Sequence, residues 1–471
     1  MHGRARKLAM AVIICGLVIC VLDSTMLSLA LPQMARQWQI DPAQTLWVVN
    51  ANQVASLVLL LPLAALGDRL GYKRVYLWGM LVFGLSSVLA ALAPSLQWLI
   101  VARALQGMGM ARALSVNGAL VRQIYPRAQL GQGLALNSMM VAISYVTGPV
   151  LAAAVLSQLD WRWLFSLHMP LALWVCWLGR KALPKPFKPS DLRGLSWWDV
   201  LLNITMFAAL FLGLDRLSHY SPEQGLLPAV AWLLLGLLAG YVYVQRQKRG
   251  AQPMLPLDLL RIPAFRLSMG ASICAFSAQT MAFLAMPFLL MDAYGVSTGQ
   301  VGMLISAWPV ALAIVAPIVG RQIGKIPASR LGGMGMLLFA AGLAALSQLS
   351  AGAPAWDIAW RMAMCGAGFA MFQSPNNHTI VTSAPMHRSG AASGMLGSAR
   401  HTGQSLGAVL LAAAFVLWPG SEGIAEQRAL LMGAGLAVLA AVFSVLRHTP
   451  VKGRCGGLRQ HSACWRKPWR V

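Results

Sequence analysis

Long apolar segments recur along the whole chain, and they constrain its fold more than any other feature. Windows of about 18 or more apolar residues, the length a transmembrane helix needs, alternate with short charged stretches. In hydrocarbon each backbone polar group must be bonded internally, which only helices and closed barrels achieve. With 58% hydrophobic and 11% charged residues over 471 positions, the composition excludes a water-soluble domain. The pattern predicts an all-α membrane protein.

Fourteen apolar segments can be delimited, and we predict that each forms a transmembrane helix. They cover residues 8–31, 46–66, 75–93, 97–121, 130–156, 163–183, 199–217, 226–246, 266–290, 299–320, 331–350, 359–382, 391–418 and 428–446. The first segment has no cleavage-like site after a short apolar core, so no removable signal peptide is expected. With the N-terminus inside, the inner loops hold 29 Lys and Arg and the outer loops five. This asymmetry predicts that both termini are cytoplasmic.

The net charge of +24 does not indicate nucleic-acid binding, because the basic residues lie in short loops between spans. The basic loop after residue 180 and the basic tail are expected to face anionic membrane lipid. Five of the seven cysteines lie in apolar spans, where Cys behaves as a small hydrophobe, so no disulfides are expected. Cys455, His461 and Cys464 match no standard metal-site spacing, and we predict no metal and no cofactor.

The sequence contains no H-E-x-x-H motif and no Walker-type nucleotide-binding loop. G-x-S-x-G occurs at residues 295–299, between two apolar segments, and at residues 403–407, inside one. Neither place has the strand, sharp turn and helix that make this motif a hydrolase nucleophile. We therefore expect a protein that is not an enzyme and that draws energy from an ion gradient. The spans contain many Gly and Pro residues and repeat along the chain. Both features favour a carrier over a channel.

Three sequence landmarks repeat at nearly constant spacing, which indicates an internal duplication. The pairs are Pro62 and Pro317 (255 apart), Arg103 and Arg361 (258 apart), and Thr147-Gly148 and Thr402-Gly403 (255 apart). We predict six-helix halves at residues 1–183 and 251–446. Residues 184–250 would form a basic loop with two extra helices, and 447–471 a disordered basic tail. Such halves are typical of secondary transporters that bind substrate near the bilayer midplane.

Asp23 is the only acid that lies deep within a predicted span, which makes it a functional candidate. Counted by helix rise, Asp23 lies about 22 Å from the inner end of its span. Arg103 lies about 9 Å from the outer end of the fourth span. In a core of about 30 Å the two residues have similar depth. A buried acid facing a guanidinium would suit a proton carrier. The alternatives are a static ion pair, or an aspartate bonded to Ser24 and Thr25.

A charged turn over residues 66–74 separates the second and third spans and must lie at a membrane face. Gly71 supplies a tight bend. The charged side chains of this turn are those of Asp68, Arg69, Lys73 and Arg74. They could join neighbouring helix ends as a conformational latch. The alternative is a solvated loop that only sets topology.

This turn resembles the G-x-x-x-D-R-x-G-x-[RK]-[RK] signature of the major facilitator superfamily, with Ala64 in place of the first glycine. The resemblance implies two six-helix halves that work by alternating access. Together with the two linker helices, the predicted fold is a bundle of fourteen transmembrane helices.

Further strings resemble the fourteen-span drug:proton antiporters of the EmrB/QacA kind, and residues 373–379 and 389–396 resemble a YebQ-like subgroup of them. Leu22-Asp23-Ser24-Thr25 is similar to their L-D-x-T motif, and Arg103 begins a stretch similar to R-x-x-Q-G-x-G that includes Gln106, Gly107 and Gly109. Gly148 and Pro149 match the Gly-Pro of their fifth span. The resemblance implies proton coupling through Asp23 and Arg103, efflux of drug-like compounds, and a bacterial inner membrane location.

The substrate pocket is the least determined part of the prediction. Polar and polarisable residues of central spans could line it, namely Asn52, Gln53, Asn137, Gln279, Met286 and Trp308. Such residues serve equally well as plain packing. Because Asp23 is the single central acid, we expect a lipophilic monocation or a neutral amphiphile. A proton symporter, or an exporter of one metabolite, is the alternative on the same fold. We expect a monomer.

Overall fold

The computed structural model describes residues 3–126, 130–184, 196–218, 226–249, 257–323, 325–383, 389–419 and 423–447. No strand occurs within these ranges beyond one isolated bridge between Ile323 and Ile326. The α-helices are α1 (Gly3–Trp38), α2 (Pro42–Leu70), α3 (Tyr72–Ala91), α4 (Leu96–Ile124), α5 (Leu130–Leu156), α6 (Arg162–Ser166), α7 (His168–Ala182), α8 (Trp197–Ser218), α9 (Leu227–Arg249), α10 (Leu257–Leu260), α11 (Pro263–Phe288), α12 (Thr298–Gly320), α13 (Ala328–Leu346), α14 (Ala355–Ser383), α15 (Ser389–Leu417) and α16 (Ile424–Leu446). A π-helical turn, Leu289–Ala293, continues α11.

Ten helices in the described ranges are long and apolar enough to cross a membrane, judged by length and composition alone. They are α1, α2, α3, α5, α8, α9, α11, α12, α13 and α16. The other four predicted spans coincide with α4, α6–α7, α14 and α15. Polar side chains within α4, α14 and α15, and the 15-residue length of α7, set these helices apart from the ten. The count of fourteen spans therefore stays a prediction.

The bend predicted at Gly71 separates α2 from α3. Its φ of +91° is a backbone conformation that glycine adopts at little cost, and its N–H donates to the Gly67 carbonyl oxygen at 3.0 Å. The end of the bundle that contains this residue is called the Gly71 end below. The opposite end, where Gln39 connects α1 to α2, is called the Gln39 end.

The same close helix contacts occur in α1–α7 and in α11–α16. A Cβ atom at Gly109 would lie 2.5 Å from a backbone nitrogen of α3, and one at Gly368 would lie 2.5 Å from a backbone nitrogen of α13. A Cβ at Gly107 would overlap a carbonyl of α2, and one at Gly366 a carbonyl of α12. Helix backbones can approach this closely only where no side chain intervenes. These equivalent contacts agree with the duplication that the landmark spacings indicate.

The two sets of helices meet along two seams, where α2 packs on α15 and α5 packs on α12. The largest hydrophobic cluster crosses these seams and draws on helices of both sets. Within each set, the glycines of α4 and α14 bring helix backbones into contact. Between the sets, α12 approaches the backbone of α5 at Gly302, and the polar contacts join side chains, which can separate and form again.

Helix α8 lies across the α2–α15 seam. Phe211 of α8 packs in one cluster with Val409 of α15 and with apolar residues of α2. Asn203 donates from Nδ2 to the Val58 carbonyl oxygen at 2.7 Å. Because Pro62 has no N–H, it cannot bond to that carbonyl as residue i+4 of a helix normally does. Asn203 therefore satisfies a carbonyl that the proline leaves without its helical partner.

A buried guanidinium joins four helices at the Gly71 end of the second set. Arg447 donates from Nη1 to Ser268 Oγ (2.8 Å) and Asn376 Oδ1 (2.5 Å), and from Nη2 to Ser444 Oγ (3.0 Å) and the Ala328 carbonyl (3.3 Å). Burial lowers the pKa of Arg447 to about 10. These contacts fix the ends of α11, α13, α14 and α16 relative to one another.

Candidate functional site

The two charged residues predicted to share a depth form a buried ion pair. Arg103 Nη1 lies 2.9 Å from Asp23 Oδ1 and 2.8 Å from Oδ2. The side chains of Asp23 and Arg103 are only 1% and 2% exposed. Arg103 also donates from Nε to the Val48 carbonyl oxygen at 3.0 Å, which ties α2 to the pair. A carboxylate so enclosed is held by its partners and not by water.

The alternative partners for Asp23 are engaged elsewhere. Ser24 donates to the Cys20 carbonyl at 3.2 Å, and Thr25 to the Val21 carbonyl at 3.1 Å. Hydroxyls that bond back to their own helix cannot donate to the neighbouring carboxylate at the same time. The predicted role of Asp23 and Arg103 in proton coupling stays a prediction.

Gln106 completes the surroundings of the carboxylate. It donates from Nε2 to Asp23 Oδ1 at 3.0 Å and to Ser87 Oγ at 2.9 Å, and its Oε1 accepts from Arg103 Nη1. Arg103 and Gln106 are three positions apart on α4, so they point to the same face. The network thus joins α1, α3 and α4 through side chains that can exchange hydrogen bonds.

His168 brings a second titratable group to this network. Its Nδ1 lies 3.8 Å from Asp23 Oδ1, and its ring stands edge-to-face against Phe83 at 5.8 Å. Within the part of the chain that the structure describes, Nδ1 has no hydrogen-bond partner. An imidazole at this distance could take or return a proton after a small side-chain movement.

A central cavity of about 50 Å³ lies beside the ion pair, between the two sets of helices. Its lining residues are Ser24, Thr25, Ser28, Val49, Gln53, Tyr145, Gln279, Thr280, Phe283, Leu284 and Gln404. Most of these side chains are polar, and none is charged. Sites for drug-sized ligands have about 300–1,000 Å³, so the helices must separate before a substrate of that size can enter.

Of the six residues predicted to bind substrate, Gln53 and Gln279 line the cavity and four do not. Asn52 faces α4, with its Nδ2 3.5 Å from the Arg103 carbonyl. Asn137 donates to Asn117 Oδ1 at 2.7 Å between α5 and α4. Met286 is fully buried in the core, and Trp308 packs between aromatic rings of α11 and α13.

Asp23 does not line the cavity, although the residues that follow it in sequence do. Ser24 and Thr25 of α1 face the cavity, whereas Asp23 turns toward Arg103 and is enclosed. Successive helical residues point about 100° apart, so neighbours in sequence face different surroundings. A ligand in this cavity would therefore contact the hydroxyls of Ser24 and Thr25 and not the Asp23 carboxylate.

Helix α15 contributes polar residues to the centre that were not predicted as site residues. His401 Nδ1 lies 2.9 Å from Gln53 Oε1, and Arg400 donates from Nη2 to Tyr145 Oη at 2.6 Å. Both contacts join the second set of helices to the first. The signal in the sequence is the spacing of Arg400 and Gln404, four positions apart within an apolar segment, which places them on one helix face.

Only part of the predicted latch lies in the described part of the chain, and its role stays a prediction. Lys73 Nζ donates to the carbonyl oxygens of Arg180 (2.7 Å) and Leu183 (3.1 Å), so it joins α3 to the end of α7. Arg74 is exposed. The side chains of Asp68 and Arg69 lie outside the described residues. A positive charge at the carbonyl end of a helix is favourable, which suits the observed Lys73 contact.

The glycine and proline predicted in the antiporter helix lie where α5 contacts two other helices. A Cβ at Gly148 would overlap the hydroxyl of Thr25 in α1. On another face, the Pro149 carbonyl oxygen would be 2.9 Å from a Cβ at Gly302 of α12. Small residues at these positions let α5 contact both sets of helices closely.

The Gln39 end carries a larger, open cavity of about 600 Å³. Arg36 of α1 lines it and lies 3.4 Å from Asp292 of the π-helical turn after α11. This ion pair is a further contact between the two sets of helices. Within the described ranges, no three His, Cys, Asp or Glu side chains are grouped as metal ligands would be.

Comparison with known proteins agrees with the helical architecture. The sequence model of the Major Facilitator Superfamily matches residues 13–259 and 267–471. The chain is 42% identical over 446 residues to the uncharacterized transporter YebQ of Escherichia coli (strain K12), covering 95% of this chain and 96% of that protein. It is 24% identical over 411 residues to the riboflavin transporter RibZ of Clostridioides difficile (strain 630), covering 87% and 88%. It is 27% identical over 414 residues to the multidrug resistance protein Stp of Mycobacterium tuberculosis (strain CDC 1551 / Oshkosh), covering 86% and 74%.

Proposed function

The chain belongs to the Major Facilitator Superfamily, and from this premise we propose that it is a proton-coupled antiporter that exports amphiphilic small molecules. It is an integral membrane protein and a transporter rather than an enzyme. The export direction is supported by the relative that bears the name of a multidrug resistance protein. The proton gradient across the membrane supplies the energy.

The observation that carries the proposal is the buried network around Asp23. Its carboxylate is held by Arg103 and Gln106, with His168 at 3.8 Å. Protonation of Asp23 would remove the negative charge that faces Arg103 and leave the guanidinium without its carboxylate. The contacts between α1 and α4 would then rearrange. Because Ser24 and Thr25 of α1 line the cavity, that rearrangement would reach the substrate site.

Alternating access is supported by the contrast between the contacts within and between the halves. Close backbone contacts at glycines hold each half together as a rigid body. The contacts between the halves at the central cavity are the reversible pairs Arg400–Tyr145 and His401–Gln53. Separation of these pairs would open the cavity toward the Gly71 end, and separation of Arg36 from Asp292 would open it toward the Gln39 end.

We place the Gly71 end in the cytoplasm, in a bacterial inner membrane, because the basic loops lie on that side. On this assignment the protein is a monomeric, fourteen-span transporter of the EmrB/QacA kind with halves at residues 1–183 and 251–446. A proton symporter, or an exporter of one metabolite, is the second candidate. The glutamines in the cavity wall favour that alternative, because hydrogen-bonding side chains suit a specific ligand better than a range of lipophilic ones.

The test is a pH-gradient assay in inverted membrane vesicles with an acidified lumen. Amphiphiles of positive, neutral and negative charge are added to vesicles that contain the native chain or Asp23→Asn at equal expression. Asp199→Asn is the matched control, because Asp199 pairs with Arg246 at 2.8 Å at the periphery. Antiport predicts proton release from the lumen with the native chain and the control only.

The other outcomes are equally informative. Proton release that is unchanged in Asp23→Asn would contradict the role of Asp23, and His168 would then be the next residue to test. Alkalinisation of the medium on addition of a metabolite would show symport instead of antiport.

A further inference from the structure

Arg400 of α15 lies next to two residues that line the central cavity. It is one helical turn from Gln404, which lines the cavity, and its guanidinium is bonded to Tyr145, which also lines it. The guanidinium carbon lies 5.7 Å from the centre of the Tyr145 ring and 5.6 Å from that of Phe276. Arg400 is half-buried, so a molecule in the widened cavity could reach it.

The charge of Arg400 is not neutralised by any carboxylate in the described ranges. Its one hydrogen bond there is to the Tyr145 hydroxyl, although a guanidinium has five N–H donors. Arg103 provides the contrast, because both oxygens of Asp23 accept hydrogen bonds from it. An uncompensated cation within a helix bundle is unfavourable and points to a functional role.

The cavity wall does not compensate this charge either. The lining side chains are neutral, and Asp23 is already paired with Arg103. The pair of Asp23 and Arg103 has no net charge, so the charge that a ligand in the cavity meets is that of Arg400. Neutral donors such as Gln53 and Gln279 can hydrogen-bond to an oxygen-rich ligand.

We infer that the transported molecule is a planar organic anion, with a carboxylate or phenolate bound by Arg400. This inference names the substrate class of the proposed transporter and therefore rests on the proposed function. A guanidinium recognises such groups by charge and by paired N–H donors, and it stacks on flat rings. Tyr145 and Phe283 provide aromatic walls for the ring of the ligand. A lipophilic cation, one of the two classes expected from the sequence, would be repelled at this position.

The test compares two xanthene dyes that share a ring system and differ in charge, anionic fluorescein and cationic rhodamine 123. Binding to the purified full chain in detergent is measured by fluorescence anisotropy, relative to protein-free micelles. We expect fluorescein to bind about tenfold or more tightly than rhodamine 123, as one charged contact suffices for that preference. Arg400→Gln should remove the preference.

Two further variants separate anchoring from structural support. Arg400→Lys keeps the charge and should retain most of the fluorescein affinity. Tyr145→Phe removes only the hydroxyl that Arg400 contacts and should leave the preference for the anion in place. If rhodamine 123 binds as tightly as fluorescein, or neither dye binds, or Arg400→Gln leaves fluorescein binding unchanged, the inference is overturned.

The outcome is independent of proton coupling. Asp23→Asn should retain the preference for fluorescein, because Arg400 and not Asp23 carries it. If the native chain prefers the anion but moves no protons in the vesicle assay, the proposed antiport fails and the assignment of Arg400 stands. If protons move with cations only, and rhodamine 123 is preferred, the assignment of Arg400 fails and antiport stands.

Discussion

Removal of one partner of the Asp23–Arg103 pair should destabilise the protein strongly, whereas removal of both charges should not. In Arg103→Gln, the carboxylate of Asp23 stays enclosed with 1% of its side chain exposed and without its cation. Leaving a buried charge without its partner costs about 3–5 kcal/mol. In the double variant Asp23→Asn/Arg103→Gln, two neutral amides remain that can hydrogen-bond to each other, so we expect a loss of about 1 kcal/mol.

These free energies convert to measurable changes in the thermal midpoint. An unfolding entropy of about 2.1 cal/mol/K per residue over 471 residues amounts to about 1 kcal/mol/K. Arg103→Gln should therefore lower the midpoint of the detergent-solubilised protein by about 3–5 °C, and the double variant by about 1 °C. Tryptophan fluorescence during heating at a fixed scan rate is a suitable measurement.

The ion pair between Arg361 and Asp357 supplies the control. It has a similar distance of 2.7 Å, but its side chains are 17% and 16% exposed. Part of each side chain contacts water, so Arg361→Gln should cost less than Arg103→Gln, about 1–3 kcal/mol including the lost bond to the Ala345 carbonyl. The reasoning is refuted if Arg103→Gln shifts the midpoint no more than Arg361→Gln does, or if the double variant is less stable than Arg103→Gln alone.

Three further predictions follow from individual contacts. Gly148→Ala should lower stability by about 1–3 kcal/mol and reduce transport, because its Cβ would overlap a side chain of α1. Gly118→Ala is the matched control, because a Cβ there would meet no atom of another helix within 4 Å. Asn203→Leu should lower the free energy of unfolding by about 1–3 kcal/mol, because it leaves a carbonyl of α2 unbonded. The loss should be smaller in a protein that also carries Pro62→Ala, because the alanine restores a backbone N–H that can bond to this carbonyl. Lys73→Met should lower the free energy of unfolding by about 0.3–1 kcal/mol. If the variant and the native protein are equally stable in thermal unfolding, the contacts of Lys73 at the end of α7 do not contribute as expected.

The helical membrane architecture could be predicted because it depends on composition and length. A run of apolar residues must be helical in hydrocarbon whatever its neighbours are. Depth along a helix is likewise a matter of counting, at 1.5 Å per residue. Asp23 and Arg103 could therefore be placed at one level without knowledge of the packing, and the structure brings them into contact.

The rotation of each helix about its own axis could not be predicted in the same way. Most spans are apolar on every face, so their sequences do not indicate which side faces the centre. Gln53 faces the cavity and Asn52, its neighbour, faces α4. That choice is made where α2 and α4 approach closely at Gly107, a contact between residues far apart in the chain.

By itself the sequence determined a bundle of apolar helices, and an acid and a base at similar depth, because these properties follow from local composition and helix rise. Only the tertiary structure decided which polar side chains share the cavity and which charged side chains pair. Arg400 meets Tyr145 between the two sets of helices, and Asp23 pairs with Arg103 outside the cavity wall. Such contacts depend on how distant helices pack against each other, and no local pattern encodes that arrangement.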